Sequence, residues 1–389
     1  MNDTVAPIEA PVLFEERAAG RGRRVGVATL NAAKTLNGLS LDMARLLDAR
    51  LAQWAHDESI VLVVLQGAGE KAFCAGGDLH GLYRSMLAFR DSGSGDIRGN
   101  AYAADFFATE YRLDYRIHTY SKPLLCWGHG IVMGGGIGLM SGASHRVVSE
   151  RSKLAFPEIT VGLYPDVGGS WLLNRVPDRG GVFLALTGAL LNAGDAIHAG
   201  LADCYIEEAK RAAVIDALLT QDWNGDATQN RQRLTALLRD FESPLAPGPL
   251  QRNAPTIAAI CAHDDLQTIA AAIAELASDD AWLQQAKTTL AAGSPGSARL
   301  GYELQRRAAT LSLADTFRLE YIASLHCAAH GDFAEGIRAL LIDKDRSPRW
   351  NPAMLAAATS AWAAPFFTAP WPDPAHPLAD LGAPTETSA

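Results

Sequence analysis

The chain holds 389 residues with a formal net charge of −9, long enough for two domains or one large domain with an extension. That acidity argues against nucleic acid as the main partner, and no run of about 18 apolar residues is present to span a membrane. Five widely spaced cysteines (Cys74, Cys126, Cys204, Cys261, Cys327) show no CxxC or zinc spacing, which suits a reducing cytosol and gives a cytoplasmic protein as the expectation.

Met1-Asn2-Asp3-Thr4 has no basic start ahead of an apolar core, so no signal peptide is expected, and residues 1–11 read as a loose polar lead-in. Residues 25–30 read as a strand. Ser40 reads as the N-cap of a helix whose Ala44, Leu47, Leu51 and Trp54 keep helical spacing. Residues 60–65 are apolar throughout, as in a strand buried on both faces. They lead into Phe73-Cys74-Ala75-Gly76-Gly77-Asp78, a glycine turn before a helical stretch. Residues 91–99, rich in Gly, Ser and Asp, read as a mobile loop. In the helix expected over 102–120, Phe106, Leu113 and Ile117 make an apolar stripe, and Glu110 falls on it at i+4 from Phe106. A carboxylate there is costly unless it has a partner or a task, or the stripe ends where the side chain reaches solvent.

Leu124-Leu125-Cys126-Trp127 reads as a buried strand entering a turn at Gly134-Gly135-Gly136, with a buried helix after it. A helix start presents unpaired N–H groups and the positive end of its dipole, a place for a phosphate or for an oxyanion forming on a carbonyl. The plain alternative is a glycine turn packed against a neighbour. Strand, glycine turn and helix thus occur twice, near Gly77 and near Gly135, which favours an α/β fold of repeated units. Residues 145–148 make a further short strand. Pro157 and Pro165 fix the backbone beside Glu158 and Asp166. Asp166 can also be read as a helix cap, and Glu158 as the partner of a core arginine. From about residue 208 helical periodicity takes over. The expected division is a core at 12–207 with the active site, a helical C-terminal region at 208–362, and a Pro-rich tail at 363–389, extended or disordered.

Lys71-Ala72-Phe73-Cys74-Ala75-Gly76-Gly77-Asp78 and His129-Gly130-Ile131-Val132-Met133-Gly134-Gly135-Gly136 form two motifs. Ala155-Phe156-Pro157-Glu158 followed by Gly162-Leu163-Tyr164-Pro165-Asp166-Val167-Gly168-Gly169 forms a third. A fourth runs through Asp332-Phe333-Ala334-Glu335-Gly336-Ile337-Arg338-Ala339 and Leu341-Ile342-Asp343-Lys344-Asp345-Arg346-Ser347-Pro348-Arg349-Trp350. With these motifs the sequence resembles, over roughly residues 12–356, the crotonase (enoyl-CoA hydratase/isomerase) superfamily, most nearly its 3-hydroxyisobutyryl-CoA hydrolase family. The first two motifs are shared by relatives of differing chemistry, and the last two are more selective.

The resemblance implies a crotonase-like spiral of ββα repeats with a helical C-terminal region. It implies an oxyanion hole made by the amides of Gly77 and Gly135, each donor worth roughly 3 kcal/mol. Glu158 would be the catalytic carboxylate, with Asp166 beside it, and Glu110, Ala75, Asp78 and Lys34 would bind substrate. Lys34 reads equally as a solvated surface lysine, and His80 stands where several relatives carry a lysine. The implied reaction is hydrolysis of an acyl-CoA thioester, 3-hydroxyisobutyryl-CoA of valine catabolism, within branched-chain amino acid degradation. Coenzyme A is part of the substrate, and no cofactor or metal is expected. The expected partners are the small-molecule acyl-CoA and further copies of the chain, as a trimer or hexamer, with no nucleic acid and no membrane.

Hydratases of the superfamily work two glutamates on one water, the second lying two residues after the glycine triplet. Here that position is Gly138. Thioester hydrolysis needs less: an oxyanion hole, one carboxylate, and a thiolate that leaves with little protonation. Glu158 can act as general base for water or as a nucleophile giving a mixed anhydride, and Asp166 can hold the substrate hydroxyl or orient the water. Carboxylates that converge in one pocket should raise one another's pKa values. Two rivals stand beside this reading: a hydratase or isomerase acting on another acyl-CoA, and an inactive CoA-binding or RNA-binding scaffold. Gly138 weighs against the first; the net charge and the pairing of Glu158 with Asp166 weigh against the second.

Overall fold

The computed structural model describes residues 10–372 and 375–383; residues 1–9, which carry the leader-free reading, and Pro374 and Pro384 of the tail lie outside them. Among the described residues the strands are β1 (Val12–Ala18), β2 (Arg24–Leu30), β3 (Ile60–Gly67), β4 (Ala72–Cys74), β5 (Leu124–Gly128), β6 (Ile131–Met133), β7 (His145–Val148), β8 (Lys153–Ala155) and β9 (Cys204–Tyr205). The first four α-helices are α1 (Leu41–His56), α2 (Leu79–Asp91), α3 (Ala101–His118) and α4 (Gly135–Ser141).

One sheet has the order β1-β2-β3-β5-β7-β9, parallel except for the opening β1-β2 pair; the other is β4-β6-β8, parallel throughout. In three coils, β3-β4, β5-β6 and β7-β8, the chain lays one strand in the larger sheet and the next, shorter strand in the smaller one. It then turns into a helix or, after β8, a 3-10 turn, so successive coils stack as a spiral. The apolar run of β3 follows from this position. Val63 and Leu65 pack with Leu47 and Leu51 of α1, whereas Val64 faces a second cluster with Leu218 and Leu234 on the opposite side. Ser40 caps α1, its Oγ accepting from the Met43 amide at 3.2 Å.

Register makes the spiral functional. Cys74 pairs with Val132, and Val132 with Leu154. Continuing a parallel register past the strand ends sets Gly77 beside Gly135 and brings Glu158 to the end of the third coil. Ligands in open parallel sheets gather outside the carboxyl ends of strands, and these residues lie there.

Two local expectations change, over the loop and the tail. Within the loop expected to be mobile, Ile97 is buried at the start of a short 3-10 turn, Ile97–Gly99. The helices Arg211–Thr220 and Ala227–Arg239 cover the outer face of the larger sheet, burying Val214, Leu218, Leu234 and Leu237. The tail after Phe367 is not loose throughout: Leu378 and Leu381 are buried in the cluster holding Phe317 and Tyr111. Arg318 Nη1 donates to the carbonyls of Leu378 and Leu381 at 3.1 and 2.9 Å, and Arg112 pairs with Asp380. Proline forbids helix there but leaves carbonyls free to be clamped and leucines free to be buried.

Candidate active site

A cavity of about 310 Å³ opens where the coils end, between the glycine turns, α3 and the helix Asp332–Ile337. Gly77, Gly135, Glu110, Glu158, Asp166 and Ala75 all line it. Lys34 and Asp78 do not. Lys34 is exposed on a 3-10 turn, and the Asp78 carboxylate is turned to its own helix, accepting the Gly81 amide at 3.0 Å as the cap of α2.

The two glycine amides are free for a reason in the backbone. Gly77 bridges Leu39 in parallel, and that bridge uses the carbonyl of Gly76 and the amide of Asp78, leaving the amide of Gly77 without a backbone partner among the described residues. Gly135 opens α4, so its amide has no carbonyl a turn earlier to bond. A side chain is barred from both sides of this turn. A Cβ on Gly135 would collide with Glu110 Oε1 and lie 3.5 Å from the Gly77 nitrogen; one on Gly134, at φ +49°, would lie 3.0 Å from Glu158 Oε1. These contacts bring the two amides and two carboxylates to one point.

Glu158 begins a 3-10 turn just past β8, is 5% exposed, and makes no ion pair among the described residues; Oε2 has no hydrogen-bond partner there. The alternative of a core arginine partner therefore falls. Glu110 is 2% exposed, so its stripe does not end in solvent. Asp166 is no helix cap: its Oδ2 accepts from the Tyr111 hydroxyl at 2.7 Å. Burial raises all three carboxyl pKa values, and the charge of Asp166 raises Glu110 and Glu158 further. Asp166 is pushed up only to about 6, because the Tyr111 hydroxyl and a backbone amide favour its ionised form.

Three residues to which the sequence assigned no role, Val167, Glu320 and Ser324, hold this arrangement. Val167 sits at φ +53°, a rare backbone for a β-branched residue, directly after Asp166. Glu320, from the helix Leu313–Ala329, clamps the same turn by accepting the amides of Gly168 at 2.7 Å and Ser170 at 3.0 Å. The Ser324 hydroxyl bridges those of Tyr111 and Tyr164, each at 2.7 Å. Asp114 is a fifth buried acid of the region, beside Glu110, Glu158, Asp166 and Glu320; it is fully buried, and neither carboxylate oxygen has a partner among the described residues. It lies at i+4 from Glu110, so the stripe that flagged one acid also held the other. Nothing local marked Glu320.

A family model described as enoyl-CoA hydratase/isomerase matches residues 25–367. Over 362 residues the chain is 36% identical to the mitochondrial 3-hydroxyisobutyryl-CoA hydrolase of Danio rerio, covering 92% of this chain and 89% of that one. To the Homo sapiens protein of the same name it is 33% identical over 353 residues, covering 90% and 86%. Among solved structures, an enoyl-CoA hydratase from Rhodobacter sphaeroides superposes with TM-score 0.80 at 34% identity, covering 92% and 97%. A carnitinyl-CoA dehydratase from Mycobacterium thermoresistibile gives 0.81 at 36%, covering 94% and 97%. The relatives named hydrolase are named mitochondrial, which overturns the cytoplasmic expectation. All five cysteines are free and buried, a state that names no compartment.

Proposed function

The chain belongs to the enoyl-CoA hydratase/isomerase family, and on that footing we propose that its cavity hydrolyses a short 3-hydroxyacyl-CoA thioester. The substrate is 3-hydroxyisobutyryl-CoA, the products 3-hydroxyisobutyrate and coenzyme A, and the step belongs to branched-chain amino acid degradation. One observation carries the choice of hydrolysis over hydration. Glu158 and Glu110 stand at the Gly134-Gly135 turn, but position 138, where the hydratase pattern places its second glutamate, has no side chain and its space is taken by Asp114 and Val167.

In this mechanism the thioester oxygen sits between the amides of Gly77 and Gly135, which stabilise the negative charge formed as the carbonyl becomes tetrahedral. Glu158 supplies the oxygen by one of two routes: it removes a proton from an attacking water, or its own carboxylate attacks and the resulting anhydride is hydrolysed. A pKa raised by burial suits the first route, and closeness to the glycine turn serves both. The coenzyme A thiolate leaves, so no second acid is needed. Asp166 and Glu110 give the otherwise apolar cavity its polar end and hold the 3-hydroxyl of the acyl group. The step draws on no cofactor.

A thiol-release assay over a panel of acyl-CoA esters tests this. 3-Hydroxyisobutyryl-CoA should release thiol, with 3-hydroxypropionyl-CoA, one methyl smaller, disfavoured by about 1–3 kcal/mol. Brisk hydration of crotonyl-CoA without thiol release would make the chain a hydratase. Silence on every ester would make it a scaffold.

A further inference from the structure

Among the lining residues of the cavity, Leu340 alone is exposed, at 40%, so the mouth lies at the segment Arg338–Ile342. The chain leaves this segment through Asp343-Lys344-Asp345-Arg346, part of the C-terminal motif to which the chemistry assigns no task. The alternation of sign in that run is sorted by the fold. Both acids, though exposed, pair with one guanidinium: Arg338 Nη1 donates to Asp343 Oδ2 and to Asp345 Oδ2, each at 2.7 Å. The other side of Arg338 is taken by Glu335, at 2.8 and 2.9 Å. Lys344 and Arg346 are exposed and enter no ion pair among the described residues.

Both bases hold a left-handed backbone, φ +58° at Lys344 and +52° at Arg346, uncommon for residues with side chains. The turn is folded back onto the mouth, since the Arg346 amide donates to the Ala339 carbonyl at 3.0 Å, one residue before Leu340. Strain of this kind persists only where surroundings impose it, and here the Arg338 clamp imposes it. The result is an exposed turn beside the opening whose acids are held by Arg338 and whose two bases pair with no acid among the described residues, in a chain of net charge −9.

We propose that Lys344 and Arg346 receive the phosphates of coenzyme A while the acyl thioester occupies the cavity. This rests on the acyl-CoA hydrolase reading above. An acyl chain that enters past Leu340 leaves its phosphates outside the opening, and arginine and lysine are the side chains that pair with phosphate. Arg338 and Arg349 offset part of the charge of Glu335, Asp343 and Asp345, and with Lys344 and Arg346 the run 335–349 holds four bases against three acids.

The test compares two esters of one acyl group, 3-hydroxyisobutyryl-CoA and 3-hydroxyisobutyryl-pantetheine, which lacks the phosphates. In the double variant Lys344→Glu, Arg346→Glu, the ratio of kcat/KM for the CoA ester to that for the pantetheine ester should fall tenfold or more. The loss should lie in KM, and added salt should narrow the gap between the two esters in the wild type. An unchanged ratio, with both esters still cleaved, overturns the assignment. An equal loss on both esters also overturns it, since it reports a damaged site and not a lost phosphate contact. Failure of the wild type to cleave either ester would instead sink the hydrolase reading itself.

Discussion

Asp114 lies against Gly138: a Cβ built on that glycine would come within 2.6 Å of the Asp114 Oδ2 and 2.8 Å of the Val167 Cβ. The position that carries a glutamate in the hydratase pattern is thus closed from α3 and from the turn after Asp166. Hydration is not merely missing one acid; the room for it has been filled. Gly138→Glu should therefore lose stability, by about 3 kcal/mol or more from overpacking and an unpaired buried charge, and should gain no hydration of crotonyl-CoA. A thermal melt and an absorbance assay decide. A stable variant that hydrates crotonyl-CoA would refute the steric account.

The buried acids set a pH dependence of stability. Burial raises the carboxyl pKa values of Glu110, Asp114 and Glu158, and brings Asp166 to about 6 and Glu320 to about 8. The native state keeps these protons at pH values where the unfolded chain has released them, so stability falls as pH rises. The melting temperature should decline from pH 5 towards pH 9. Asp114→Asn, neutral at every pH and of the same shape, should flatten that decline and gain about 1–2 kcal/mol at pH 8. A decline of equal slope in the variant would mean that Asp114 is not among the protons retained.

Glu158→Gln should lower kcat by about 10²–10⁴-fold while the ester still binds. Ligand-detected calorimetry on the variant separates binding from turnover, and wild-type turnover would remove Glu158 from the chemistry. A single turnover in ¹⁸O-labelled water distinguishes its two roles. The label enters the product acid directly if Glu158 is a base, and enters the Glu158 side chain if an anhydride forms and water opens it at the enzyme carbonyl.

The hydroxyl of Tyr111 favours the ionised form of Asp166, so Tyr111→Phe should raise that pKa above about 6. The acid limb of the kcat/KM profile should move to higher pH by about one unit, the worth of one hydrogen bond to a charged group. A uniform loss of rate at all pH values would assign Tyr111 to packing alone.

How much of this was legible in the residues depends on whether a signal is local. Gly77, Gly135 and Glu158 were readable because each follows an apolar run and a turn within a few residues. Their meeting was not readable from any one segment; it needs the parallel register that pairs Cys74 with Val132 and Val132 with Leu154. Glu110 was visible as a carboxylate on an apolar stripe, and Asp114 one turn later obeyed the same rule unnoticed. Glu320 acts across 152 residues on the Gly168 amide, and no spacing in the chain announces such a contact. The brief strands β6 and β8, three residues each, are too short to show a period.

The stacked coils carry one last implication. The two amides and the acid come from three separate rungs, each ending in its own bend, while the ladder between rungs is plain backbone pairing. One bend can be rewritten without disturbing the hydrogen bonds that hold its neighbours. An architecture of this kind can exchange one reaction for another by editing a single rung, and a glycine beneath an aspartate is what such an edit looks like.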